Sequence, residues 1–502
     1  MTDVITGLSP EWESVVATTL ESAAGVVVTR RCADVSELLA VAEAGLGECA
    51  VVSADLRGLD LTTVRRLSRA GLSVVGLCPP GDEGAERRLR QLDVPIVLSV
   101  DAGPESFGTA LACPGPHRAG APPSGSPSGG HGSEHQVVIP DHIPEDLLGP
   151  RAEVPSLPVG DRTAPQSPSH SRGIEAAREG ELEVGWQPRG SETVSGSVGG
   201  PALPEPGDGS AGGRSTVIAV WGPTGAPGRT TVAVNVAVEL AARGQEVLLV
   251  DADTYGGSIA QALGLLDEAP GLAAACRAAD QGTLDLPALA RLAPVVTPRL
   301  RVLTGLPKAE RWPELRAAAL ERVLDLAREL AAVVVIDCGF CLEDDEELSY
   351  DTTAPRRNEA TLMALAHADS LLAVGGADPV ALQRFVRALQ ELGSVPSPTP
   401  IPIVNRVRSS AVGSRPEERI AESLLRFAGL EGVSFVPDDA QTVDAALLAG
   451  RSVVEHAPDS RLRASFAELA TAVAPWTRTR VRDRRGRRWR QGAKRMVSPA
   501  NV

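Results

Sequence analysis

The sequence predicts an α/β fold in which helices cover mostly parallel sheets. Three observations carry that reading. Short β-branched runs alternate with stretches of helical period over much of the chain. Apolar residues make up 43% of the 502 residues but aromatics only 3%, so the cores must be built from Ala, Val and Leu, which suits helix-covered parallel sheets. A glycine-rich turn at 222–228 joins a buried-strand pattern to the start of a helix. The same composition fits poorly with aromatic-rich sugar binders and antibody-like sandwiches.

Loop-forming residues divide the chain. Of the 110 residues from 101 to 210, 17 are Pro, 19 Gly and 13 Ser, a stretch too poor in apolar surface to offset the entropy of folding. Four segments follow: an N-terminal unit at 1–100, a disordered linker at 101–213, a large domain at 214–476 and a basic tail at 477–502. Two linker islands, 136–148 and 174–186, read as ordinary heterogeneity or as a short docking segment. The histidines beside the first, His117, His131, His135 and His142, are spaced among prolines too irregularly for a metal site. Seven scattered cysteines without a second close pair indicate reduced thiols. No apolar run reaches the ~20 residues of a membrane span. The first residues carry no signal-peptide pattern, so a cytoplasmic location is expected.

Within 1–100, apolar runs at 4–5, 25–28, 50–52, 72–77 and 94–98 predict five strands. The segments 35–44 and 61–70 between them predict helices. This βα unit resembles the receiver domain of response regulators, in degenerate form. Its first strand leads into Thr6, Gly7 and Leu8 rather than an acidic cluster, and no lysine occurs in the first 100 residues. Asp55 follows the third strand without the carboxylates that would hold Mg²⁺. Docking or dimerisation suits such a unit better than phosphorylation of Asp55.

In the large domain, 216–221 reads as a buried strand, 222–231 (GPTGAPGRTT) as the turn and 232–242 as a helix. A second strand at 246–250 ends in Asp251 and Asp253. Backbone N–H groups and the helix dipole at such a turn face an anion. Three readings compete. A dinucleotide fingerprint would need G-x-G-x-x-G, but Pro223 and Thr224 interrupt it. A phosphate-binding P-loop wants a cation followed by a hydroxyl for Mg²⁺, and Arg229, Thr230 and Thr231 answer that need better. A glycine turn without a ligand is the third. Asp251 and Asp253, one residue apart, leave the strand on the same side, which favours a metal site over a solvated turn.

The stretch TGAPGRTTVAVNVAVELAARGQEVLLVDADTYGG resembles the start of the ParA/MinD family of deviant-Walker P-loop ATPases. Within that family it is most similar to the CpaE/TadZ-like branch and its actinobacterial septum-site-determining relatives. The resemblance implies ATP and Mg²⁺ as cofactors. It implies nucleotide contacts from Gly225, Pro227, Gly228, Arg229, Thr230 and Thr231, a Mg²⁺ hydroxyl at Thr230, support of the metal or the P-loop by Asp251, directly or through water, and water orientation by Asp253. The family pattern K-G-G-x-G-K-[ST] is altered at three places: its signature lysine falls at Thr224, its second glycine at Ala226 and its phosphate lysine at Arg229. Arginine keeps the charge but is planar and bulkier.

A clean strand at 332–337 ends in Asp337, placed as a Walker B acid holding Mg²⁺ directly or through water. Gly339 and Phe340 follow where the family has two prolines, and Cys338 reads as a small buried hydrophobe. The acidic run 343–347 reads chiefly as a solvated face, with a gate or a dock for the tail as the lesser reading. Strands are expected at 370–374, 401–406 and 435–439, and helices at 378–392 and 443–450. By the same resemblance Asn405 would meet the adenine edge and Pro437 would stand beside the base. No serine-triad, zinc-protease or paired C-x-x-C motif is present.

Net charge is −15, but the last 26 residues hold ten Lys or Arg against one acid. Trp489 amid that cluster suits an anionic membrane surface. A solvated tail and, as a weaker reading, nucleic acid remain open. The expected function is that of an ATP-binding, weakly hydrolysing protein that positions a pilus-assembly or septum complex. The expected partners are a second copy of the chain and a pilus-assembly or division protein, at the inner face of the cell membrane. The alternative is a non-hydrolysing scaffold, nucleotide-gated or nucleotide-free.

Overall fold

The computed structural model describes residues 1–112, 215–265, 269–344 and 355–474. Most of the linker, much of the acidic run and the basic tail lie outside the described residues. Among those described, no helix is long and apolar enough to cross a membrane.

The first unit has five parallel strands, β1 (Thr2–Gly7), β2 (Val26–Cys32), β3 (Cys49–Ser53), β4 (Ser73–Cys78) and β5 (Ile96–Ser99), in the order β2-β1-β3-β4-β5. This is the doubly wound order with one switch point beside β1. β3 and β4 are buried throughout, as their continuous apolar runs require. Helices α1 (Glu13–Ser22), α2 (Val35–Glu43), α3 (Leu61–Arg69), α4 (Glu83–Gln91) and α5 (Pro104–Ala112) cover the two faces. Asp34, Asp60 and Asp82 each cap the helix that follows, accepting a backbone N–H from its first turn. α5 lies beyond residue 100, inside the span expected as linker. Phe107 and Leu111 fix it by burial against Val16 and Leu20, a short apolar pair that the surrounding Pro/Gly composition conceals. Asp55 accepts a hydrogen bond from Ser9 Oγ at 2.8 Å, so a hydroxyl stands beside it at the end of β1.

The large domain has eight strands, in the order β13-β12-β11-β6-β10-β7-β9-β8. They are β6 (Thr216–Trp221), β7 (Val247–Ala252), β8 (Val295–Thr297), β9 (Leu300–Leu303), β10 (Val333–Cys338), β11 (Ser370–Gly376), β12 (Pro400–Val407) and β13 (Ser434–Pro437). All pairings are parallel except β8 with β9 at one edge. The helices are α6 (Arg229–Ala242), α7 (Ile259–Ala262), α8 (Gly271–Asp280), α9 (Leu286–Leu292), α10 (Ala317–Leu330), α11 (Glu359–His367), α12 (Pro379–Leu392), α13 (Ser409–Val412), α14 (Pro416–Ala428), α15 (Ala440–Leu448), α16 (Val453–His456) and α17 (Arg461–Val473). Two apolar layers sandwich the sheet, one under α8, α10, α11 and α12, the other under α6 and α17. α6 is buried along most of its length, which explains its run of Val and Ala.

The two units touch. Ala318 of α10 packs on the apolar layer beneath α3 and α4. Arg316 Nη1 pairs with Asp60 at 2.9 Å and lies 3.8 Å from Asp280, while Arg65 bridges to Glu321. Thr62 Oγ1 donates to Asp280 at 3.2 Å, and Arg88 Nε donates to the Gln281 carbonyl at 3.1 Å. Burial pushes the Asp280 carboxyl up to about 6; Arg316 opposes the shift and Asp60 adds to it. A carboxyl raised on folding takes up its proton more readily in the folded state, so its ionisation costs stability as pH rises from about 4 to about 6. Relative to wild type, Asp280→Asn should gain melting temperature across that window and hold a constant margin above it. Thermal melts of both chains at half-unit pH steps check this; parallel curves would contradict it.

Candidate nucleotide site

The chain 222–228 bridges the end of β6 and the first turn of α6, at the C-terminal edge of the central strands. Gly222 has no room for a side chain, because a β-carbon there would overlap the Val374 carbonyl oxygen of neighbouring β11. Gly228 is the N-cap of α6 with φ +96°, a left-handed conformation that glycine adopts freely. Ala226 sits at φ +52°. That is the position where the resembling family has glycine, and a β-carbon in this region costs roughly 1–2 kcal/mol.

The structure brings most of the sequence-predicted residues together. Arg229 Nη1 donates to the carbonyls of Gly222 and Pro223, both at 3.1 Å, and its Nη2 pairs with Asp253 Oδ2 at 3.0 Å. Both side chains are largely buried, and Arg229 Nε is buried without a partner. Thr230 Oγ1 donates to Asp337 Oδ2 at 2.6 Å, and Ser258 Oγ lies 3.4 Å from Thr230 Oγ1. Thr231 stands in the first turn of α6, partly exposed, where its carbonyl accepts from Asn235. Asp251 accepts the backbone N–H of Ile259 at 3.0 Å, which pins the chain leaving β7. Asp253 accepts those of Tyr255 and Gly256.

Asn405, near the end of β12, braces the loop from the neighbouring strand edge. Its Nδ2 donates to the Pro227 carbonyl at 2.8 Å, and its Oδ1 accepts from the Arg406 N–H. Pro437 pairs with Val407 at the end of β13, on the same sheet edge. Gly225 is exposed at the loop's crest, while Pro227 is buried.

Three carboxylates share this pocket of chain with one guanidinium. Burial pushes Asp251 up to about 6, with the Asp253 charge adding to the shift. Burial, and then the Asp251 charge, hold Asp337 well above the usual carboxylate range. Cys338, next to it, is buried, and its thiol is pushed up by that burial. Asp337 Oδ1 is buried with no hydrogen-bond partner among the described residues. Among the described residues, no group of three or more His, Cys, Asp or Glu is arranged to hold a metal ion alone. The unpartnered Asp337 oxygen and the Thr230 hydroxyl are oxygen donors of the kind that would hold Mg²⁺ brought in with phosphate oxygens, directly or through water.

Sequence reasoning missed a cluster at the mouth of this site. The Tyr255 and Phe340 rings lie 4.5 Å apart, and the Arg357 guanidinium sits 3.9 Å above Tyr255. Tyr255 OH donates to Asn358 Oδ1 at 2.7 Å, Asn358 donates to the Glu343 carbonyl, and Trp221 Nε1 donates to the Phe340 carbonyl. These bonds tie the segment after β7 to the segment after β10. The signal was faint: a Tyr and a Phe among few aromatics, each just past an acid-ended strand.

Strand order, loop and acid positions make this an α/β P-loop NTPase fold. A family model described as ParA: NUBPL iron-transfer P-loop NTPase matches residues 214–282. The match is confined to that segment. It includes the loop, α6, β7 and both acids that end β7. Among solved structures, the chain is similar to a ParA family ATPase from Chlorobium tepidum (20% identity, 51% of this chain and 98% of that one, TM-score 0.43). It is also similar to the septum site-determining protein MinD complexed with Mg-ADP from Pyrococcus horikoshii (19%, 52% and 96%, 0.42) and to the cell division ATPase MinD from Pyrococcus furiosus (20%, 51% and 97%, 0.41). About half of this chain lies outside each of these alignments. Comparison with curated proteins gives no match.

Proposed function

We propose that the chain binds ATP with Mg²⁺ at the β6–α6 loop and uses the bound state to position a pilus-assembly or septum complex. The observation that carries this reading is the Thr230–Asp337 pair beside a left-handed glycine N-cap, with Asp337 Oδ1 buried and unpartnered. Thr230 and Asp337 would hold Mg²⁺, which would supply positive charge against the phosphate oxygens. The chain's own part is to aim the N–H groups of α6 at the phosphates, to hold the loop through Asn405 and to place the Arg229 guanidinium against it. The ParA-type match over the loop, α6 and β7 supports the nucleotide-binding part of this reading.

The second reading, a scaffold without turnover, has a specific observation in its favour. Asp253, expected to orient water, is ion-paired to Arg229 and capped by two backbone amides. A carboxylate whose two oxygens are engaged in this way is poorly free to take hold of a water. We therefore place turnover at the slow end, and phosphate release by the purified chain tests it. Slow Mg²⁺-dependent release that falls at least tenfold in Asp253→Asn is the expected result. Nucleotide binding without release supports the scaffold, and release unchanged by the substitution contradicts the role given to Asp253.

A further inference from the structure

The charge arrangement of the loop points beyond its own residues. From Gly222 to Thr231 the only cation is Arg229, and its charge is committed to Asp253 at 3.0 Å. Thr224, exposed at the crest, is neutral. A polyphosphate laid over this crest would meet N–H groups but no unpaired positive charge from the loop.

A second guanidinium reaches the crest from another element. Arg384, on α12, places Nη1 2.7 Å from the point that a β-carbon on Gly225 would occupy. Arg384 is exposed, and no ion pair or hydrogen bond engages it among the described residues. Its position is fixed from below. Asp378 caps α12 by accepting the Ala381 N–H at 3.0 Å, and Pro379 opens the helix. Phe385, the next residue, is fully buried with its ring against Gly375 of β11, where a β-carbon would overlap it. At Gly376 a β-carbon would come within 2.8 Å of the Ala381 methyl, so the paired glycines let α12 lie close over the end of β11. β11 pairs with β6, the strand that feeds the loop, so sheet order carries Arg384 to Gly225 across about 160 residues of chain.

We infer that Arg384 is a phosphate-binding residue of the nucleotide site, supplying from α12 the positive charge that the loop lacks at Thr224. The inference rests on the nucleotide reading above. A guanidinium that is exposed, unpaired among the described residues and beside the exposed turn is suited to forked hydrogen bonds with phosphate oxygens. Its contribution should grow with the number of phosphates beyond the one nearest the ribose.

The test is equilibrium binding of ATP, ADP and AMP with Mg²⁺ to the full chain as wild type, Arg384→Ala, Arg384→Lys and Arg387→Ala. Arg387, one turn further along α12 and also exposed, serves as the control. Arg384→Ala should weaken ATP about tenfold or more and leave AMP within about twofold. Lysine should restore most of the loss, and Arg387→Ala should change nothing. If wild type binds ATP and Arg384→Ala binds it equally or more tightly, the inference is overturned alone, since the guanidinium would then be a bystander or a cover over the loop. If wild type binds no nucleotide, the functional reading fails, and the inference with it.

Discussion

Gly222→Ala should cost about 3 kcal/mol or more of stability and abolish nucleotide binding together with it. A methyl group at this position has nowhere to go but into the Val374 carbonyl of the adjacent strand. Relief requires β6 and β11 to part where Ala373 faces Trp221, at the base of the loop and in the middle of the sheet. Trp221, one of the largest fully buried side chains, would be displaced with it, along with its bond to Phe340. For a domain of this size the melting temperature should fall by roughly 6–12 °C. A variant that melts with wild type would show that the loop's close approach to β11 is not required.

Arg229→Gln should weaken ATP binding about a hundredfold, the second largest effect expected. Glutamine loses the charge and the fork that spans the carbonyls of Gly222 and Pro223, and it leaves Asp253 buried without its cation. Arg229→Lys keeps a charge within reach but not the fork, so an intermediate affinity is expected. Titration of all three chains with the same nucleotide separates the roles. Equal affinity in the glutamine variant would mean that neither the charge nor the fork of Arg229 is needed for nucleotide binding.

The sequence displayed the parts of the site that are local in the chain. A β-branched strand, a glycine turn and an acid at each strand end are patterns of a few residues, and β6, α6, β7 and β10 lie where those patterns place them. Between Ser258 and Ala331 the pattern gave no assignment. There α8 and α9 are short and Ala-rich, β8 and β9 are three- and four-residue strands beside Pro294, and none shows a clear period. Contacts made by topology were not legible either. The Arg229–Asp253 pair joins residues 24 apart, Asn405 reaches Pro227 across 178, and Arg384 meets Gly225 only because β11 lies beside β6. The docking of α3 on α10 is likewise set by complementary Arg, Asp and Glu side chains, and no motif announces it.

The measurement that bears most directly on the central claim is a titration of the full chain with a fluorescent ATP analogue, with and without Mg²⁺, repeated for Thr230→Ala and Asp337→Asn. Binding should be saturable and tighter with Mg²⁺, and both variants should lose that Mg²⁺ dependence. No saturable binding below about millimolar (a free energy of roughly 4 kcal/mol), or competition by NAD as effective as competition by ATP, would contradict it.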